Sequence, residues 1–154
     1  MITKYFISGL ETKTDKETIE VLSNILIKNE EVLPAYTSSV IEAEINLATG
    51  IDLNNISIAI PHTNNVELIN NTAVAIGILK KPVSFGSMIV VSETTPVSIV
   101  FLLAVKGINE QLAVIARLMK ALQNEEWVDD FCKTSSENDM RLIFDRIDID
   151  GENK

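Results

Sequence analysis

The feature that most constrains the fold is the stretch over residues 97–105, Val-Ser-Ile-Val-Phe-Leu-Leu-Ala-Val. It is apolar at nearly every position, so neither a period of two nor a period of 3.6 can be read from it. A strand covered on both faces reads this way. Such a strand needs a sheet with neighbours on each side and helices above and below. The run is about half the length that a membrane-spanning helix needs. The first residues, Met1-Ile2-Thr3-Lys4-Tyr5-Phe6-Ile7-Ser8, lack the long apolar region of a signal peptide.

The rest of the chain supplies those neighbours and covers. A short strand is expected over 5–7. Thr14-Asp15-Lys16-Glu17 reads as a capping box opening a helix over about 15–29, with Ile19, Leu22, Ile25 and Leu26 on one face. Pro34 suits the first turn of a second helix, which carries Val40, Ile41 and Ile45 until Gly50 stops it. Ile56-Ser57-Ile58-Ala59-Ile60 alternates large and small residues, as a strand does, and ends at Pro61-His62. Residues 66–69 are a turn of helix or an extended link. A strand follows over 72–79, a turn at Lys80-Lys81-Pro82 and a short strand at Val83-Ser84-Phe85. Three helices close the chain, opened by Asn109, Asn124 and the box Ser136-Glu137-Asn138-Asp139. With 154 residues and no linker or repeat, this pattern predicts one α/β layered domain over 1–154. Its core runs over about 5–147, with 148–154 a polar, frayed tail.

Composition removes several classes of function. Lys and Arg number 13 against 22 Asp and Glu, a net charge of −9. That surface repels a phosphate backbone, and no basic run makes a local exception, so nucleic acid is a poor partner. The acidic excess favours solubility and, more weakly, a basic partner. One cysteine, Cys132, excludes an internal disulfide and points to the cytoplasm. It is expected as a small buried or half-buried residue of the helix holding Trp127 and Phe131. No metal is expected, since a single imidazole stands without nearby cysteines or an H-E-x-x-H spacing. No G-x-S-x-G elbow and no glycine-rich phosphate loop occur, so neither a serine hydrolase nor a bound nucleotide cofactor is expected.

His62 is the only histidine, and imidazole is the side chain that ordinarily changes charge near neutral pH. It leaves the end of a strand, where open α/β sheets put ligands, followed by polar Thr63 and Asn64. It can be read as a nucleophile, a general base or a loop residue bonded to backbone. Gln111 lies near the start of the helix after the buried strand. There, unpaired N–H groups suit an anion, or the amide simply caps the turn.

Ser57-Ile58-Ala59-Ile60-Pro61-His62 resembles the active-site strand of enzyme IIA domains of the bacterial phosphoenolpyruvate-dependent sugar phosphotransferase system, in the fructose/mannitol/galactitol superfamily. The likeness continues in family order. It runs through Phe6 and the capped helix, the helix after Pro34, Val83-Ser84-Phe85-Gly86, the strand over 97–105, Asn109-Glu110-Gln111-Leu112 and Glu125-Glu126-Trp127. It covers roughly 5–147 and is closest in flavour to galactitol-type members.

The resemblance implies a central mixed sheet flanked by helices. It also implies a phosphohistidine at His62, loaded by the histidine phosphocarrier protein and discharged to a cysteine of enzyme IIB, with no cofactor. Thr63, Asn64 and Gln111 become candidate donors to the phosphoryl group. A regulatory module of the same fold, controlling a partner through His62, is the alternative. Two family features are absent: Gln111 stands where many members have a second histidine, and Ala43 where mannitol-type members have an arginine before the residue matching Glu44.

Overall fold

The computed structural model describes residues 1–53 and 55–151. The elements run β1 (Thr3–Leu10), α1 (Asp15–Lys28), α2 (Tyr36–Asn46), β2 (Ile51–Asp52), β3 (Ser57–Ala59), a single 3-10 turn (Val66–Leu68), β4 (Ala73–Gly86), β5 (Thr94–Ala104), α3 (Ile108–Leu122), α4 (Glu125–Cys132) and α5 (Glu137–Phe144). The strands form one mixed five-stranded sheet in the order β1-β4-β5-β3-β2. β1 and β4 pair in parallel, as do β3 and β5, while β4–β5 and β2–β3 are antiparallel.

The long apolar run takes the central position it predicts. Ile99, Phe101, Leu103 and Val105 face α3, α4 and α5, against Leu118, Phe131, Met140 and Phe144. Val100, Leu102 and Ala104 face α1 and α2, against Leu22, Leu26, Tyr36 and Val40. The result is a layered α/β domain with the sheet in the middle. No helix among the described residues is long and apolar enough to cross a membrane.

Most helix starts follow their caps. Thr14 Oγ1 accepts from Glu17 N at 3.1 Å, Asn124 Oδ1 from Trp127 N at 3.1 Å and Ser136 Oγ from Asp139 N at 3.1 Å. Other expectations need correction. α3 is capped by Gly107 rather than Asn109, and no side chain bonds its first turn. α2 begins at Tyr36 and ends at Asn46, leaving 47–50 as a connection. β1 is longer than expected.

The turn expected at Lys80-Lys81-Pro82 is absent, because β4 runs straight through it. The pairing with β5 shifts register between Ile78 and Val83, which absorbs the missing proline N–H. The tail expected to fray is packed as far as Gly151: Ile149 is buried and Asp150 Oδ1 accepts from Ile2 N. Residues 152–154 of that predicted tail lie outside the described residues.

Candidate functional site

β3 delivers the chain to the site. Its ladder with β5 ends at Ala59. Leu103 N still donates to Pro61 O at 3.0 Å, so the chain stays against β5 for two more residues. α2 is anchored at the same place, where the buried Tyr36 hydroxyl donates to Leu103 O at 2.6 Å. The end of β3, the helix α2 and the connection over 47–50 are thereby held around one spot. Gly50 completes the closure: its N–H donates to Gly86 O at 3.0 Å. A Cβ there would stand 2.5 Å from that oxygen, so only glycine allows the approach.

His62 is half-buried at this spot, with Nδ1 2.7 Å from Ile60 O. A carbonyl oxygen only accepts, so Nδ1 carries a proton, and in the neutral ring Nε2 is the nitrogen with the lone pair. Among the described residues Nε2 has no hydrogen-bond partner. His62, Thr63 and Asn64 line one open cleft of about 900 Å³, shared with α2, the 47–50 connection and the 87–93 loop.

Thr63 is buried. Its hydroxyl pairs with Ser39 Oγ at 2.6 Å and accepts from Asn65 N at 3.1 Å, while Asn65 Nδ2 donates to Ser39 Oγ at 2.7 Å. This cluster ties the loop after His62 to α2. Gln111 is buried behind the cleft, and its Nε2 donates to Asn64 Oδ1 at 3.0 Å. Its own oxygen is buried without a partner among the described residues. With Oδ1 engaged, Asn64 meets the cleft through its amino group, and Gln111 reaches the site through Asn64 rather than directly.

Among the described residues no lysine or arginine lines the cleft. Its charged residues are Asp15, Glu42, Glu44 and Glu93. Ile45 and Leu47 stand at its rim, 79% and 78% exposed, together with exposed Met88 and Val91. Among the described residues no cluster of His, Cys, Asp or Glu could hold a metal ion. Cys132, expected at least half-buried, is exposed on α4 outside this cleft.

Sequence reasoning missed Ser39, and it named Glu44 only by resemblance. Glu44 had a signal: Tyr36, Val40 and Glu44 stand four apart on the buried face of α2, so a carboxyl continues an apolar stripe. Thr49 donates to it twice, N to Oε2 at 2.8 Å and Oγ1 to Oε1 at 2.7 Å. Burial nevertheless pushes the Glu44 carboxyl up to about 7. The charge of Asp15 pushes it the same way, and the two bonds from Thr49 only partly offset the rise.

A carboxyl raised on folding binds its proton more tightly in the folded state. Its stabilisation is complete below the ordinary value of 4.5 and is lost as pH rises towards about 7. Urea unfolding between those limits is therefore expected to show wild type losing about 2–3 kcal/mol relative to Glu44→Gln, which cannot titrate. Parallel profiles for the two proteins would contradict this.

The family model for the phosphoenolpyruvate-dependent sugar phosphotransferase system, EIIA 2, matches residues 2–147. The chain belongs to that family. No curated protein matches it in sequence. Among solved structures it is similar to the mannitol enzyme IIA of Escherichia coli in its complex with phosphorylated enzyme IIB. The identity is 23%, the coverage 92% of this chain and 94% of that one, and the TM-score 0.72. It is also similar to the nitrogen regulatory protein IIA-Ntr of Neisseria meningitidis, at 22% identity, with 90% and 92% covered and a TM-score of 0.73. These likenesses extend the EIIA fold over nearly the whole chain.

Proposed function

We propose that this EIIA protein is a cytoplasmic phosphocarrier. In this reading His62 accepts a phosphoryl group from the histidine phosphocarrier protein and passes it to a cysteine of enzyme IIB for sugar uptake, in a galactitol-like branch of the family. One contact supports this most: the 2.7 Å bond from His62 Nδ1 to Ile60 O, which leaves the Nε2 lone pair bare in the cleft. Nε2 attacks the phosphorus of the donor phosphohistidine. A P–N bond forms here as the donor's P–N bond breaks, and no proton has to leave Nε2 first. In the return step a thiolate attacks, a P–S bond forms and the Nε2–P bond breaks.

Asn64 donates to the phosphoryl oxygens, with whichever of the paired Thr63 and Ser39 hydroxyls does not donate to the other as a second donor, and Gln111 holds Asn64 in place. The transferring group is negative, and among the described residues the charged groups lining the cleft are all carboxylates. A docked partner supplies the missing cation. The exposed Ile45, Leu47, Met88 and Val91 make the contact around it dry.

The test is to incubate the protein with phosphoenolpyruvate, enzyme I and the phosphocarrier protein and measure its intact mass. One acid-labile phosphoryl group is expected, discharged on adding enzyme IIB. No increment would overturn the reading. Gln111→Ala frees the Asn64 amide and is expected to slow transfer about tenfold, or about 1.4 kcal/mol, with Gln111→His tolerated. Wild-type quench-flow rates in Gln111→Ala would remove its role.

A further inference from the structure

Ile60 sets the tautomer of His62, and its two backbone polar groups are held from opposite directions. The carbonyl takes the imidazole Nδ1. The N–H, beyond the end of the β3 ladder, donates to Thr49 Oγ1 at 3.0 Å. Thr49 belongs to no helix or strand. It lies in the connection between α2 and β2, and both its donors go to the single carboxyl of Glu44. Glu44 and Thr49 are each 6% exposed and Ile60 is 1% exposed, so these bonds are largely shielded from water although the cleft reaches both side chains.

Stability alone does not account for the carboxyl. A buried acid with two neutral donors and, among the described residues, no paired cation costs more than an apolar side chain continuing the stripe of Tyr36 and Val40. What the carboxyl does that a leucine could not is hold both polar groups of Thr49 at once.

We propose that Glu44 is a positioning residue for His62, acting through Thr49 and the Ile60 backbone. The carboxyl fixes Thr49, the Thr49 hydroxyl fixes the Ile60 peptide, and the Ile60 carbonyl holds the imidazole with Nδ1 protonated and Nε2 bare. The functional meaning rests on the reading of His62 as the phosphoryl acceptor, but the tautomer itself is measured without any phosphoryl donor. The device is positional. A glutamine at 44 serves it, its oxygen accepting from Thr49 N and its amide donating to Thr49 Oγ1.

The experiment is ring-nitrogen NMR of the protein labelled in histidine, at a pH where imidazole is neutral. Wild type, Glu44→Gln and Thr49→Ser are expected to show a pyrrole-like Nδ1 and a pyridine-like Nε2. Glu44→Ala and Thr49→Val are expected to lose about half or more of the Nδ1–H population. Thr49→Val keeps the side chain's shape and is read on its own if Glu44→Ala does not fold. A pyrrole-like Nε2 in wild type overturns the proposal, as do wild-type ring signals in either folded variant. A normal ring response in a protein that takes up no phosphoryl group overturns the proposed function and leaves the positioning role standing.

Discussion

His62→Ala is expected to take up no phosphoryl group when incubated with phosphoenolpyruvate, enzyme I and the phosphocarrier protein, and to stay folded. The chain has no other imidazole. Cys132 is no substitute. It lies outside the cleft, and desolvation by the protein around it, with the nearby charge of Asp129, raises its thiol pKa, so it stays protonated. The fold loses little, because His62 is only half-buried and its bond to Ile60 O is local. A cost within about 1 kcal/mol is expected. Intact mass and a urea midpoint on the same sample separate loss of function from loss of fold. A stable phosphoryl group on the alanine variant would contradict the assignment.

Phe144→Ala is expected to do the reverse, weakening the fold while leaving the site's chemistry in place. Phe144 is fully buried near the end of α5. Its ring meets Phe6 at 5.6 Å, edge to face, and lies 6.5 Å from Phe101 and 6.0 Å from both Trp127 and Phe131. It joins α5 to β1, β5 and α4 at once. Truncation removes its transfer free energy and leaves a cavity walled by rigid rings that cannot collapse, about 4 kcal/mol in all. For a domain of this size the melting temperature should fall by about 8–16 °C. Differential scanning calorimetry reads this directly, and a shift of a degree or two would contradict it. The cleft is lined by other elements, so the folded fraction should still accept phosphoryl groups on His62.

The layering was legible because the strongest signals were local and agreed. The run at 97–105 reads as a doubly covered strand, and the Thr14, Asn124 and Ser136 caps each bond the backbone N–H three residues on. The misses lie where pairing partners overrule local preference. Lys80-Lys81-Pro82 has turn chemistry, yet β5 holds both halves of β4 and lets the register slip between them. The segment after Asp148 is polar, but Ile149 finds the core and Asp150 finds the Ile2 N–H across the whole chain.

The site divides in the same way. His62, Thr63 and Asn64 are consecutive and could be read together. Ser39, Glu44 and Thr49 reach that loop through side-chain hydrogen bonds that spacing does not announce: Ser39 to Thr63 and Asn65, and Glu44 to Thr49 and so to Ile60. Gln111 could be singled out at a helix start, but its contact with Asn64 could not be read from spacing.

The most direct test of the account is which atom of the phosphorylated protein carries phosphorus. Ring-nitrogen spectra of phosphorylated, histidine-labelled protein are expected to show phosphorus coupling on Nε2 of His62, with Nδ1 still protonated and bonded to Ile60 O. Phosphorus on Nδ1, or on any residue other than His62, would contradict it.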